Sequence, residues 1–153
     1  MRRFFSSTDI LPTGYTAIEW SKMTGGETVA VFDCGPVGLM PQKVAWLKGA
    51  KRVIGVALQP YRLQTAERVA GSEIINIQEE DAVERIRDMT DGRGADVCMD
   101  AVGMEADRST LDKIGNVFHL QKGSISALNM AVSPARRGGV VSVVGVYGLP
   151  CDG

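Results

Sequence analysis

The amino-acid sequence predicts an α/β protein built on a doubly wound parallel sheet, and three observations carry that prediction. From Thr28 onward, short apolar runs of strand length alternate with longer helix-like stretches. A glycine turn, Asp33-Cys34-Gly35-Pro36-Val37-Gly38, joins the first run to the first stretch. The chain has 153 residues, which is the size of one domain. With 44% hydrophobic and 23% charged residues, it can bury a core and does not have a disordered composition.

Up to about Gly26 the signals are mixed. Leu11, Pro12, Thr13 and Gly14 read as a turn, and apolar Tyr15, Ile18 and Met23 recur on a helical period, predicting a short helix over 15–23. The first strand is Thr28 to Phe32, and the helix after the glycine turn runs to Lys48. Pro41 lies about one turn into it, where it removes a donor and crowds the carbonyl four residues back, at up to ~3 kcal/mol in a regular helix. A kink or a late helix start is expected. The second strand, Arg52 to Val56, leads through Gln59 and Pro60 into a helix over 62–70. The third, Glu73 to Ile77, precedes an acidic helix start at Glu79 to Asp81, where carboxylates suit the helix dipole, with Val83, Ile86 and Met89 on one face. The fourth, Ala95 to Ala101, ends in Val102 and Gly103. Ala106 to Ile114 and Ser124 to Val132 read as helices, and the fifth strand, Gly139 to Val144, ends in Gly145.

The right-handed crossover rule orders these strands 3-2-1-4-5. A sixth strand would complete the usual sheet, but none is left in the chain after Pro150. The fifth strand is therefore expected to be an open edge and to self-associate through Val140, Val141, Val143 and Val144.

Composition also excludes functions. The formal net charge is -1, which gives no electrostatic reason for nucleic acid or an anionic membrane as partner. No apolar run approaches the roughly 18 residues of a membrane span, and the opening MRRFFSST lacks a long apolar region or cleavage-like site. A cytoplasmic protein is expected. Cys34, Cys98 and Cys151 are scattered, without a CxxC, and only one histidine, His119, accompanies them. That pattern is neither a zinc finger nor a disulfide framework, and two of the cysteines sit in apolar runs as small hydrophobes. No Ser–His–Asp, Cys–His or paired-carboxylate arrangement offers chemistry of the chain's own, so no catalytic residue is assigned.

The glycine turn is the richest signal. In a Rossmann-type dinucleotide site, GxGxxG turns the chain sharply out of the first strand, brings bare backbone to the pyrophosphate and aims a helix N-terminus at it. Here the turn reads DxGxxG. Gly35 and Gly38 hold the second and third glycine positions, Pro36 suits the first helical turn, and Asp33 replaces the first glycine. About 20 residues on, an acidic residue normally accepts hydrogen bonds from the adenosine ribose. That place falls at Ala57. Arg62 is either a basic neighbour of that ribose or a solvated charge at a helix start.

The run SSTDILPTGYTAIEW, the strand and turn VAVFDCGPVGLM, the segment GAKRVIGVALQPYR and the patch GADVCMDAVGMEAD together resemble the zinc-dependent medium-chain alcohol dehydrogenases, most of all their formaldehyde dehydrogenase-like branch. The resemblance extends from about Ser6 to Gly148 and covers the cofactor domain with a short lead-in. It implies a truncated NAD(P)-binding domain over 27–153, with 1–26 arriving from the catalytic-domain side. It further implies cofactor contacts at Gly35, Pro36, Val37, Gly38, Arg62, Ala101, Val102, Gly103, Gly145 and Val146, with Asp33 and Ala57 at the two positions where the family pattern is broken. Asp9 matches a zinc-ligand position of that branch and Thr13 falls in the segment approaching the nicotinamide. The other zinc ligands are absent, and one carboxylate cannot hold a catalytic zinc, which needs three protein ligands; no bound zinc is expected, zinc belonging to the full-length family.

Three functions are weighed. The chain is the cofactor part of an alcohol or formaldehyde dehydrogenase-like oxidoreductase, a non-catalytic nucleotide-binding or interaction module, or a functionless remnant. In the first case NAD binding is expected to be weakened. Loss of the ribose carboxylate removes roughly 1.5–3 kcal/mol. The negative side chain of Asp33, about 6 Å from the pyrophosphate, adds roughly 2–3 kcal/mol of repulsion. NADP should lose less than NAD, because Ala57 cannot repel a 2′-phosphate and Arg62 attracts one.

Overall fold

A computed structural model describes residues 9–102 and 125–145. Its centre is β1 (Thr28–Phe32), in which all five residues are buried. Alternate residues of β1 serve different cores, as the period of 2 requires. Val29 and Val31 face a layer made with Ala17, Ile18, Val44 and Ala45, whereas Ala30 and Phe32 face one made with Ile75, Ile86, Met130 and Ala131. A sheet covered on both faces reads as continuous apolar runs, and this is why the strands were recognisable.

The elements follow the predicted alternation: α1 (Leu11–Trp20), β1, α2 (Pro36–Leu47), β2 (Arg52–Ala57), α3 (Pro60–Thr65), β3 (Glu73–Asn76), α4 (Ala82–Asp88), β4 (Ala95–Asp100), α5 (Ile125–Val132) and β5 (Ala135–Val143). The five strands are parallel and ordered β3-β2-β1-β4-β5, as predicted. The predicted helix over 106–114, together with Gly103, His119, Val146 and Cys151, lies outside the described residues.

Four local predictions need correction. First, Leu11 to Gly14 is not a turn but the opening of α1, and the helix ends at Trp20 rather than Met23. Gly14 is buried there because α1 packs against α2: an added Cβ would lie 2.6 Å from Met40 Cβ and 2.8 Å from Pro41 Cδ. Second, α2 begins at Pro36 and runs as one helix through Pro41, without the late start. Third, the helix after β2 starts at Pro60, two residues early, and passes from α3 into a π-helical turn, Ala66–Ala70, that ends at left-handed Gly71. Fourth, β5 starts at Ala135. Its register against β4 slips between the Ala95–Ala135 and Val97–Val140 pairs, with Gly138 at φ 73°, so the regular ladder visible in sequence begins only near Gly139.

Other boundaries hold to within a residue or so. Asp81 caps α4 by accepting hydrogen bonds from the Val83 and Glu84 amides at 2.8 and 3.0 Å, as the acidic helix start implied. Cys34 and Cys98 are buried, and burial pushes both thiols up to about 12, which suits inert packing.

Candidate functional site

Parallel strands end together, and the ends of β1, β2 and β4 enclose a pocket of about 400 Å³. This is the carboxyl-end crevice where the strand order reverses, the usual ligand position in such sheets. Nine predicted site residues line it: Asp33, Gly35, Pro36 and Val37 from the β1–α2 turn, Ala57 and Arg62 from the β2–α3 side, Ala101 and Val102 after β4, and Asp9 at the rim. Phe32, Val56, Ile77 and Met130 add an apolar wall, with Leu58 and Gln59 beside Ala57. Sequence reading missed these, since each is an ordinary core or turn residue until the topology gathers them.

The turn explains itself residue by residue. Gly35 is the extended N-cap of α2, and Pro36, which has no N–H, takes the first helical position. The first-turn amides after it, beginning at Val37, have no intrahelical acceptor and form the anion-attracting end of the helix. Gly38 does not line the pocket. Its absent Cβ lets α2 press against the Asp33 carbonyl, with Ala101 Cβ at 3.5 Å from the same point. Its role is to fit helix to strand. Gly145 is likewise a packing residue, since an added Cβ would lie 2.7 Å from the Val102 carbonyl.

Asp33 stands at φ 74°, the left-handed conformation a glycine would adopt without cost and one that Asp tolerates better than most residues. Its amide donates to the Val56 carbonyl at 2.9 Å. It is not a lone charge. Arg62 Nη1 donates to Asp33 Oδ1 at 2.6 Å and to Oδ2 at 2.8 Å, and Arg62 Nε donates to Tyr61 Oη at 3.1 Å. The side chains are only 25% and 19% exposed, so Arg62 is neither solvated nor free. The repulsion expected of Asp33 is thereby offset. The pair lies across Gly35, where an added Cβ would meet Asp33 Oδ2 at 3.0 Å and Arg62 Nη1 at 3.3 Å.

Ala57 is 5% exposed and packs with Cys34, Leu63 and Ala66, so no carboxylate occupies the end of β2. Asp100, at the end of β4, was not singled out by sequence. It is fully buried; Oδ1 accepts from the Val102 amide at 3.0 Å, and Oδ2 has no partner among the described residues. Burial raises its pKa above the ordinary carboxylate value, and the Asp33 charge adds to the rise. Asp9 is exposed and stands alone: among the described residues no three His, Cys, Asp or Glu side chains come together, so they assemble no zinc-ligand set. Among the same residues no helix is long and apolar enough to cross a membrane.

Comparison with known proteins agrees with this geometry. A family model described as zinc-binding dehydrogenase matches residues 36–118. The chain is 43% identical over 141 residues to AdhB of Bacillus subtilis, an uncharacterised zinc-type alcohol dehydrogenase-like protein, covering 92% of this chain and 37% of AdhB. It is 35% identical to sorbitol dehydrogenase of the same bacterium, over 87% of this chain and 32% of that enzyme. Among solved structures, alcohol dehydrogenase TADH from Thermus sp. ATN1 superposes with a TM-score of 0.77 at 33% identity, over 95% of this chain and 37% of TADH. The chain thus spans about a third of these relatives' length. Over that span, with its crevice at the strand ends and its glycine turn at the N-terminus of α2, it belongs to the zinc-binding dehydrogenase family.

Proposed function

We propose that residues 27–153 are the nicotinamide-dinucleotide-binding domain of a formaldehyde dehydrogenase-like zinc-type alcohol dehydrogenase, with 1–26 as its lead-in from the catalytic side. The observation that supports this reading is the convergence of nine expected site residues on one 400 Å³ crevice. In it the Gly35–Val37 backbone would take the pyrophosphate, Arg62 and the end of β2 the adenosine ribose, and Ala101 with Val102 the nicotinamide side. Bound NAD or NADP would supply the hydride acceptor or donor for an alcohol–aldehyde couple. The described residues supply binding and orientation, and no acid, base or metal ligand set for the reaction, so turnover by this chain alone is not expected. Free buried thiols suit a reducing cytoplasm.

NAD binding is proposed to be weak, chiefly because Ala57 offers the ribose no carboxylate, and NADP is proposed to bind better. Calorimetric titration with NAD, NADP and ADP tests this. NADP binding more tightly than NAD is the expected outcome. NAD binding in the low micromolar range would overturn the weakening, and no binding of any of the three would overturn the assignment.

A second reading, an interaction module without chemistry, draws on β5. It pairs with β4 on one side, and Val140 and Val143 are 37% and 45% exposed. Self-association along that edge is compatible with either reading.

A further inference from the structure

At the opposite end of the sheet, where β4 and β5 begin, lies a second concavity of about 580 Å³ lined by Arg87, Gly92, Arg93, Ala135, Arg136 and Arg137. It stands apart from the dinucleotide crevice by the length of β4, roughly 17 Å at about 3.3 Å per residue. Four arginines line it in a chain whose net charge is -1.

Their partners are unequal. Asp96 is the one carboxylate paired with any of them among the described residues: it accepts from Arg93 Nη2 at 2.9 Å and Arg136 Nε at 2.6 Å. It also accepts from the Thr28 amide at 2.8 Å. Asp96 is buried and held below the ordinary carboxylate range: burial alone would raise it, but the Thr28 amide and the two guanidinium groups outweigh that. It therefore stays charged and fixes two of the four arginines. Arg87 reaches only the Ser133 carbonyl, at 3.4 Å, and Arg137 has no carboxylate partner among the described residues. Among the described residues the four arginines thus share one ion-paired carboxylate, and Arg87 and Arg137 form no ion pair. Guanidinium forks match phosphoryl oxygens in geometry and charge. A concavity of this volume suits a small molecule, whereas the near-neutral chain as a whole offers no steering field for a nucleic acid.

We propose that this arginine-lined concavity is a second anion site, which takes a small ligand carrying two linked phosphoryl groups. The Asp96-anchored pair, Arg93 and Arg136, forms its fixed wall, and Arg87 with Arg137 closes on the ligand from the helix and strand sides. The site is independent of the dinucleotide assignment, and it gives the fold anion-binding ends at both termini of its strands.

The test is calorimetric titration of the chain with inorganic pyrophosphate at constant ionic strength, alongside R87Q/R137Q and R62Q. The double variant spares Arg93, Arg136 and Asp96, so the anchoring bonds to the sheet remain. It should weaken pyrophosphate binding at least tenfold, and R62Q should leave it within about twofold. Amide shifts of the unmodified chain, read by NMR during the same titration, should move at Gly92 and Gly138 at lower pyrophosphate concentrations than any shift at Gly35 or Val37. Unaltered binding by R87Q/R137Q would overturn the proposal. So would loss of binding in R62Q with shifts confined to the Gly35 turn, which would assign pyrophosphate to the dinucleotide crevice, and so would the absence of saturable binding.

Discussion

Replacing Asp33 by asparagine keeps the size of the side chain, and asparagine tolerates the left-handed backbone of this position as aspartate does. Only the charge is lost. A point above Gly35 lies 3.0 Å from Asp33 Oδ2 and 3.3 Å from Arg62 Nη1, so a phosphate approaching that glycine meets the two charges at nearly equal distances. With the phosphate at about 6 Å and an effective dielectric near 20, each unit charge contributes about 2.8 kcal/mol, and the two contributions have opposite sign. The intact pair therefore nearly cancels. Asp33→Asn removes the repulsion and leaves Arg62 to the ligand, which should tighten NADP binding by about two orders of magnitude. Arg62→Gln should weaken it by a similar factor, and the double variant should return to within a few-fold of the unmodified chain. Calorimetry at low ionic strength reads all four proteins, and both single effects should shrink as salt is added. Asp33→Asn binding no tighter than the unmodified chain would refute the reasoning, because it would mean that the carboxylate does not face the ligand's phosphates.

Ala57→Asp should supply the missing ribose acceptor and tighten NAD by roughly 10- to 100-fold while disfavouring NADP; an unchanged ratio of the two dissociation constants would count against it. Gly38→Ala forces a Cβ onto the Asp33 carbonyl, a backbone group that no rotamer change relieves. A loss of about 1–3 kcal/mol, seen as a melting point several degrees lower, is expected. Asp100 adds a pH dependence of known sign. Because its folded pKa is raised, the stability it contributes as a neutral carboxyl is full below the unfolded value, about 3.9, and is lost as pH rises through the folded value. Asp100→Asn should therefore gain stability relative to the unmodified chain at pH 7, with the gain shrinking toward pH 4 in denaturant titrations; a difference independent of pH would remove Asp100 from this role. Sedimentation equilibrium should show a concentration-dependent dimer that Val143→Lys abolishes, and a monomer throughout the range would exclude the β5 edge as a contact.

Sheet order was legible because it rests on chemistry local to each strand. Val29 through Phe32 announce a strand buried on both faces, and the Gly35–Gly38 turn announces the helix behind it. The long-range partnerships were not legible. Arg62 and Asp33 are 29 positions apart, and only the β1–α2–β2 crossover brings the α3 guanidinium over the turn at the end of β1. Each residue alone admits an ordinary surface reading. Gly14 misled in the other direction, since the same residue type serves a tight turn and a close helix crossing, and only the position of Met40 and Pro41 decides between them. Arg136 and Arg137 precede the apolar run that marks β5 in the sequence, and only the register slip against β4 brings them into the strand. Asp100 sits within an apolar strand, where nothing in the sequence shows that one of its oxygens is left without a donor.

The crossing of α1 and α2 has a mechanical meaning. Ala17 and Ile18 are wholly inaccessible to solvent among residues of β1, β2 and β4, and Glu19 reaches across to Lys48 at the end of α2. The exposed stretch Thr24–Gly26 is then only a covalent leash. A protease that severs it leaves the first helix seated, held by buried surface instead of by the chain, and the nicked protein should migrate as two bands under denaturing conditions and as one particle otherwise. Deleting residues 11–20 is a different event: it strips the cover from Val29, Val31 and Val53 and turns that side of the sheet into an adhesive surface.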